Sequence, residues 1–178
     1  ANGTCYHYVV TVVTQKGESL ESQEVMAIPS PYLLAMCIGR EGVDDGEFSS
    51  PTGIALDKDG NIYVADTDNH SIQKLDKSGK FVARWGGDPS SQEGSFYYPR
   101  GLAVGPNDVL YIADSGNNRI QKFDLNGNPM QAWGKFGFAW RGADLGKFDV
   151  PWGLATDAEG NLYISDTSNA RIQKLTSD

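Results

Sequence analysis

Three aspartates recur along the chain at a nearly constant interval and are the first candidates for chemistry. Asp66, Asp114 and Asp166 are separated by 48 and 52 residues. Acidic side chains brought together by such a repeat could bind a metal ion or act as a general acid and base. Each of them follows a short apolar segment where a strand would meet a turn, and aspartates at turns commonly hydrogen-bond backbone amides. We therefore predict a structural role for all three.

The histidines and cysteines do not complete a catalytic site. His7 and His70 are far apart, and Cys5 and Cys37 lack a second ligand at the short spacing of a zinc site. The chain also has no Gly-x-Ser-x-Gly, Gly-x-x-x-x-Gly-Lys or His-Glu-x-x-His motif. We expect His70 to be a solvent-exposed loop residue. The sequence predicts neither an enzyme nor a cofactor, and it leaves open whether the cysteines are bonded.

Aromatic and arginine side chains form a second group of candidates, and their chemistry is that of binding. Such residues are enriched among those that dominate protein interfaces. They come from two long segments, 86–98 and 134–150, and from the middle position of a recurring Pro-x-Gly motif. Phe136 and Phe138 are equally compatible with packing beneath their own loop. The candidate ligand-binding residues are Tyr97, Tyr98, Arg100, Trp140, Arg141 and Trp152.

Three copies of one sequence unit must position these candidates. The copies run from Pro51 to Leu75, from Pro99 to Phe123 and from Pro151 to Leu175. Each has Pro-x-Gly-apolar-Ala, then Tyr-apolar-Ala/Ser-Asp, then an asparagine and an Ile-Gln-Lys segment. A glycine and a phenylalanine precede every copy in the same register. Repeats of this period indicate a propeller or a solenoid.

Each unit contains short strand-like segments separated by Gly, Asn, Asp and Pro. In the first unit these segments are residues 53–56, 61–65, 71–75 and 80–85. Four strands per repeat is the composition of one β-propeller blade. In a blade that starts at the axis, the loop between the second and third strands lies on the same side as the connection to the next blade. We expect the candidate binding residues to gather on that side.

With these motifs the chain resembles the NHL repeat family, over roughly Tyr32 to Leu175. The resemblance implies an all-β fold: a partial β-propeller of NHL type with three four-stranded blades, half of a six-bladed ring. It implies a domain over residues 31–178, which contains a strand at 32–38 and blades at about 51–86, 99–134 and 151–178.

One residue departs from the repeat. Ser71 stands where the other copies have Arg119 and Arg171. The first blade therefore lacks the cation that those arginines could offer a neighbouring carboxylate. We expect a weaker contact between blades there.

Three blades do not close a propeller, which usually has about four to eight. The third copy ends after a third strand, whereas segment 32–38 reads as a fourth strand without the three before it. Two explanations are open. A second copy of the chain completes the ring as three plus three blades, or the sequence is one part of a longer chain, which we favour.

Residues 1–30 carry a different pattern, that of a β-hairpin. A Tyr-x-Tyr-Val-x-apolar-Val segment leads through Lys-Gly-Glu-Ser to Ser-x-Glu-Val. The stretch resembles the last two strands of a fibronectin type III domain. The resemblance implies the C-terminal hairpin of such a domain and an extracellular or cell-surface location.

Charge limits the classes of partner. The chain has 15 basic and 23 acidic residues, a net charge of -8. Nucleic-acid binding draws on clustered basic side chains, so we predict no nucleic-acid partner. No apolar run approaches the roughly 18 residues of a membrane helix, so we predict no membrane insertion.

Together these observations predict a non-catalytic binding or scaffold module that takes a protein or glycan partner. The contact is expected on the side with the second-to-third strand loops and the connections between blades, in part of a larger surface or secreted protein. The alternative is a propeller metalloenzyme of lyase or lactonase type whose site lies in missing blades. The residues at hand do not separate a protein partner from a glycan.

Overall fold

The computed structural model of the chain describes residues 36–134 and 144–176. The chain divides into two compact units, residues 1–38 and 39–178, and the second contains the repeats. The hairpin predicted for residues 1–30, most of the strand predicted at 32–38, and Trp140 and Arg141 lie outside the described residues. Within the described ranges, no helix has the length and apolar character needed to cross a membrane.

The described residues form three antiparallel sheets, each with its strands in chain order. We number these sheets blades 1, 2 and 3. Blade 1 contains β1 (Pro51–Leu56), β2 (Ile62–Asp66), β3 (Ser71–Leu75) and β4 (Phe81–Gly86). Blade 2 contains β5 (Pro99–Gly105), β6 (Val109–Asp114), β7 (Arg119–Asp124) and β8 (Pro129–Gly134). Blade 3 contains β9 (Pro151–Thr156), β10 (Leu162–Asp166) and β11 (Arg171–Leu175).

The all-β prediction is confirmed, and the strands of the first repeat lie within two residues of their predicted bounds. The third blade differs from the predicted four-stranded form. Its sheet has three strands within the described part of the chain, which extends one residue beyond β11.

In blades 1 and 3, the turns that join the first and second strands are built around an aspartate, Asp57 and Asp157. In blade 1, one carboxylate oxygen of Asp57 accepts the N–H groups of Asp59 and Asn61, at 3.0 and 2.9 Å. Gly60 follows with a φ of 84°, a left-handed conformation that suits glycine. Burial raises the pKa of Asp57, but the hydrogen bonds from Asn61 outweigh it and the pKa lies below its ordinary value. The turn carboxylate is therefore ionised at neutral pH.

The hydrophobic core lies between the blades. Between blades 1 and 2, Tyr63 and Ile72 pack with Leu102, Ile112 and Phe123, all of them buried. The same positions of the next pair of blades form a second cluster, which also contains the lead-in Phe148. Blade 2 thus buries one face against blade 1 and the other against blade 3, as blades of a propeller do.

A glycine in the first strand of each blade sets how closely neighbouring blades approach. A Cβ atom at Gly53 would lie 1.9 Å from the carbonyl oxygen of Arg100, and one at Gly101 would lie 1.9 Å from that of Trp152. No side chain can occupy either position without moving backbone. The Pro-x-Gly motif therefore brings β1, β5 and β9 side by side, as contacts between these strands show.

Candidate functional site

The repeated aspartates are buried hydrogen-bond centres. One carboxylate oxygen of Asp114 accepts the backbone N–H of Tyr97 at 2.7 Å. The other accepts from the side chains of Asn117, Arg119 and Gln121, at 2.9, 2.7 and 3.0 Å. Asp66 and Asp166 accept the backbone N–H groups of Ser49 and Asp149 in the same way. The prediction of a structural role at the turn is confirmed for all three.

The electrostatics of these centres depend on burial. At Asp114, burial raises the pKa of the carboxyl above its ordinary value, and the adjacent Arg119 guanidinium opposes the rise. At Asp166, burial also raises the pKa, but the N–H groups of Asp149, Asn169 and Arg171 outweigh it and the net shift is downward. Among the described residues, no group of three acidic, histidine or cysteine side chains is placed to hold a metal ion.

In blades 2 and 3, the arginine of the aspartate centre anchors the loop that leads into its own blade. The guanidinium of Arg119 donates to the carbonyl oxygens of Ser91, Gln92 and Ser95, at 2.8, 2.7 and 2.9 Å. These carbonyls precede β5, which is a strand of the same blade as Arg119. The contact is therefore within a blade.

In blade 1, an arginine on a different strand makes the same contact with the lead-in loop. Arg84 on β4, paired with Gln73 across the sheet, donates to the carbonyl oxygens of Val43 and Asp44 at 2.7 and 2.5 Å. These carbonyls stand at the repeat positions of Ser91 and Gln92. The expectation that Ser71 weakens a contact between blades is wrong, because the arginine contact is internal to the blade. In blade 1, Arg84 supplies the cation to the lead-in loop, whereas Asp66 accepts from Ser49, Asn69 and Gln73.

Arg84→Ala is expected to lower the free energy of unfolding by about 1.5–3 kcal/mol, the range for hydrogen bonds to a charged group. The double variant Ser71→Arg/Arg84→Ala places the arginine on β3 in place of β4 and is expected to recover most of this loss. Blade 2 has this arrangement, with Arg119 at the position of Ser71 and Ala132 at that of Arg84. Urea denaturation of the wild type and both variants measures the effect. A double variant no more stable than Arg84→Ala would show that the two arginine positions are not equivalent.

The side chains predicted to bind a ligand lie along one edge of the blades. We define the top edge as the edge with the loops between second and third strands, such as 67–70 and 115–118, and the connections between blades. The opposite, bottom edge carries the other turns, such as 57–61. Tyr97 and Tyr98 end the connection from blade 1 to blade 2. Their place on the top edge agrees with the sequence analysis.

Tyr97 and Tyr98 form an aromatic cluster with His70 of the preceding blade. The His70 ring stacks on Tyr97 with centroids 5.3 Å apart and meets Tyr98 edge-on at 4.5 Å. The backbone N–H of Tyr98 donates to Nδ1 of His70 at 3.1 Å, so the ring proton of a neutral His70 lies on Nε2. Sequence reasoning treated His70 as a solvent-exposed residue and missed this cluster.

Tyr98 has a backbone conformation that is unusual for a residue other than glycine. Its φ is 49°, in the left-handed region, and the residues at the same position of the other blades, Ser50 and Val150, have φ values of 51° and 50°. Such a conformation costs about 1–3 kcal/mol for a residue other than glycine and persists only where the surroundings impose it. The surroundings thus fix the backbone of Tyr98, and 38% of Tyr97 and 36% of Tyr98 are exposed.

Arg100 and Trp152 form a second group on the same edge. Both stand at the middle position of Pro-x-Gly, in β5 and β9, so blade packing makes them neighbours. The Arg100 guanidinium carbon lies 3.8 Å from the centroid of the Trp152 ring, within the range of a cation–π contact. Trp152 is 43% exposed. The Nε of Arg100 is enclosed and has no hydrogen-bond acceptor among the described residues.

The structure thus locates four of the six predicted ligand-binding residues. Tyr98 precedes Arg100 by two residues, so the aromatic cluster and the Arg100–Trp152 pair are close to each other along the chain at the top edge. Trp140 and Arg141, like Phe136 and Phe138, lie outside the described residues. We call His70, Tyr97, Tyr98, Arg100 and Trp152 the top-edge group.

Comparison with protein families identifies the repeated unit. The family model described as NHL repeat matches residues 48–75, 96–123 and 148–175. These ranges run from the lead-in phenylalanine to the end of the third strand of each blade. The resemblance proposed from sequence is confirmed for the repeats.

Curated relatives share short stretches with the chain. It is 51% identical over 43 residues to the B-box type zinc finger protein ncl-1 of Caenorhabditis elegans, covering 24% of this chain and 5% of that protein. It is 46% identical over 48 residues to the protein brain tumor of Drosophila melanogaster, covering 27% of this chain and 5% of that protein. The chain therefore corresponds to a small part of these relatives.

Among solved structures, the chain is similar in fold to virginiamycin B lyase from Staphylococcus aureus, in a catalytically inactive form with Quinupristin. The TM-score is 0.55 and the identity 22%, over 78% of this chain and 41% of that chain. At this identity the similarity concerns the fold alone, and it supports the propeller arrangement of the blades.

Proposed function

Because this chain belongs to the NHL repeat proteins through its three repeats, we propose that it is a non-catalytic module that binds a protein partner with its top-edge group. The observation that carries the proposal is the Arg100–Trp152 stack, a preformed and partly exposed pair at the junction of blades 2 and 3. Tryptophan and arginine are the side chains most often found at the energetic centre of protein interfaces.

The chemistry of the stack favours a partner with an acidic or amide group. Arg100 lies against the Trp152 ring, so its planar guanidinium is held with little freedom to lose on binding. A carboxylate is the acceptor that a guanidinium binds in a bidentate manner. The exposed part of Trp152 offers apolar surface beside it. This combination fits an acidic and apolar segment of a protein.

The tyrosine cluster extends the same surface. Tyr97 and Tyr98 expose parts of rings that are already fixed by His70, so a partner gains apolar contact without ordering them. A glycan could stack on an aromatic ring as well. Arg100 covers part of the Trp152 ring, which leaves less free aromatic face for a sugar and favours the protein partner.

The propeller metalloenzyme is the weaker alternative. The likeness to virginiamycin B lyase brings no ligand set to this chain, since it concerns the fold alone. Such an enzyme would require a metal site built from residues outside the described ranges. An extracellular or cell-surface location, a scaffold role and membership of a larger protein remain part of the proposal.

The test is a binding measurement with variants of the top-edge group. Peptides selected from a random phage-displayed library on the wild-type chain serve as the probe. Trp152→Ala and Arg100→Ala are each expected to weaken binding of such a peptide by about tenfold or more, the loss of about 1.4 kcal/mol or more seen at hot spots. Isothermal titration calorimetry measures both.

Met130→Ala is the matched control, because Met130 is 54% exposed but lies on β8, away from the top edge. It is expected to leave the affinity within twofold. Equal affinities of the wild type and Trp152→Ala for every selected peptide would refute the proposal. Competition by a soluble glycan, in place of acidic peptides, would assign the site to sugars.

A further inference from the structure

The ring of His70 holds the backbone of Tyr98 through a hydrogen bond that requires the ring to be neutral. The N–H of Tyr98 donates to Nδ1 of His70 at 3.1 Å. A ring nitrogen that carries a proton cannot accept a hydrogen bond, and both nitrogens of a charged imidazole carry one. Protonation of His70 therefore places two N–H groups opposite each other and removes this bond.

The backbone on either side of Tyr98 is held by other parts of the chain. The N–H of Tyr97 donates to the carboxylate of Asp114 at 2.7 Å. The carbonyl oxygen of Pro99 accepts the hydroxyl of Thr67, also at 2.7 Å. Loss of the bond to the histidine ring is thus expected to act on Tyr98 itself and to leave the rest of the connection between blades 1 and 2 in place.

Tyr98 adopts a conformation that its surroundings must impose. Its φ of 49° lies in the left-handed region, which is unfavourable for an aromatic residue. Without an acceptor for its N–H, the backbone is stabilised by leaving this region, and the ring moves with it. The ring of Tyr98 contacts those of His70 and Tyr97, with centroids 4.5 and 4.7 Å apart. Release of Tyr98 therefore rearranges the aromatic cluster of the top edge.

The junction of blades 2 and 3 has the same contact, made by a side chain that does not titrate. Asn118 stands at the position of His70, and its Oδ1 accepts the N–H of Val150 at 2.9 Å. Val150 has the position of Tyr98 and a φ of 50°. His70 and Asn118 both have a φ of 53°, so an asparagine fits the backbone at position 70. An acceptor is thus present at both junctions, and a proton can block the one in blade 1.

Among the groups around His70, the imidazole is the one that responds to mild acid. Histidine is the side-chain type that changes charge between pH 5 and 8, whereas carboxyl groups ordinarily do so at lower pH and phenols at higher pH. The charged side chains on neighbouring segments are Asp68 on its own loop, Asp88 and Glu93 on the connection to blade 2, and Arg100 at the start of β5. The two tyrosine rings attract a charged imidazole, but this attraction does not restore an acceptor for the backbone N–H.

We infer that His70 is a pH-sensitive positioning residue of the top-edge group: its neutral ring holds Tyr98 in place, and its protonation releases Tyr98 and weakens binding of the partner. The apparent affinity then falls in proportion to the fraction of molecules with a neutral ring. By reciprocity, the bound partner favours the neutral ring, so binding in mild acid releases a proton. The effect on binding rests on the proposed function, whereas the release of Tyr98 does not.

Amide hydrogen exchange measured by NMR tests the release of Tyr98 without any partner. The protection factor of the Tyr98 amide is expected to fall by about fivefold or more between pH 7.5 and pH 5.5, the loss of one hydrogen bond. In His70→Asn the factor is expected to be the same at both pH values, because asparagine keeps the acceptor and does not titrate. The Val150 amide is the internal control, since Asn118 holds it at either pH.

Isothermal titration calorimetry with a library-selected peptide that lacks histidine tests the effect on binding. The affinity of the wild type is expected to fall by about fivefold or more from pH 7.5 to pH 5.5, and that of His70→Asn by less than twofold. Each protein is compared with itself, because His70 belongs to the top-edge group and its replacement alters the surface. His7, the other histidine of the chain, is present in both proteins.

A Tyr98 amide that is equally protected at both pH values in the wild type would overturn the inference. So would an affinity of the wild type that does not change with pH, or one that falls as far in His70→Asn, because His70 would then not control binding. A chain that binds no selected peptide with its top-edge group would refute the proposed function. The amide exchange of Tyr98 would in that case still decide the role of His70.

Discussion

Asp114→Ala is expected to lower the free energy of unfolding by about 3–5 kcal/mol, the cost of removing one partner of a buried ion pair. The carboxylate is fully buried and accepts four hydrogen bonds, from Tyr97, Asn117, Arg119 and Gln121. Alanine leaves these donors without their acceptor, and it leaves the Arg119 guanidinium, 8% exposed, without its counter-ion. Urea denaturation followed by tryptophan fluorescence measures the change.

The same substitution in blade 3 is the internal comparison. Asp166 is equally buried, but the side chain of its partner Arg171 is 22% exposed. Water can solvate Arg171 after the carboxylate is removed, so Asp166→Ala is expected to cost less than Asp114→Ala. Losses below about 1 kcal/mol for Asp114→Ala would contradict the role of the aspartate as the structural centre of its blade.

Gly101→Ala is expected to cost about 3 kcal/mol or more, at or beyond the upper end of the usual range for overpacking. The new Cβ atom would lie 1.9 Å from the carbonyl oxygen of Trp152 and 3.0 Å from its carbonyl carbon. Both are backbone atoms of β9, so relief requires blade 3 to move away from blade 2. The core cluster between those blades would open. Thermal unfolding by circular dichroism measures the loss.

Gly153→Ala is the matched control at the same position of blade 3. There the nearest atom to the new Cβ is the rotatable hydroxyl of Ser165, so the variant is expected to unfold like the wild type. If Gly101→Ala were as stable as Gly153→Ala, the close approach of neighbouring first strands would not be a requirement of this fold.

The strands could be predicted because each is encoded by a local pattern that the chain repeats. Tyr63, Tyr111 and Tyr163 mark the second strand of every blade, and the Pro-x-Gly motif marks the first. The aspartate centres could also be anticipated, since aspartates at turns commonly hydrogen-bond backbone amides. Sequence reasoning therefore located the features that recur in all three repeats.

The parts that sequence reasoning missed depend on contacts between different segments. The ring of His70 packs against Tyr97 and Tyr98, which belong to the next repeat. These rings meet because the connection to blade 2 returns over the loop of blade 1. Position 71 on β3 lacks the arginine, and Arg84 on the neighbouring strand β4 contacts the lead-in loop instead. A cross-strand exchange of this kind has no signal in a linear alignment of repeats.

The Arg100–Trp152 pair falls between these cases. Both residues were predicted as ligand-binding because of their type and position in Pro-x-Gly. Their stacking at 3.8 Å follows from the approach of β5 and β9 that Gly101 permits. The two residue types could be read from the sequence. Their stacking could not, because it depends on how the blades pack against each other.

The location of the bound peptide on the chain is the most direct test of the central claim. A ¹⁵N-labelled chain titrated with a library-selected peptide reports perturbed amides by heteronuclear NMR. We expect the largest shifts at the backbone amides of His70, Tyr97 and Arg100 and at the Trp152 indole N–H, with the bottom-edge turn 57–61 unchanged. Shifts concentrated in the bottom-edge turns, with the top-edge group unperturbed, would contradict the proposed binding surface.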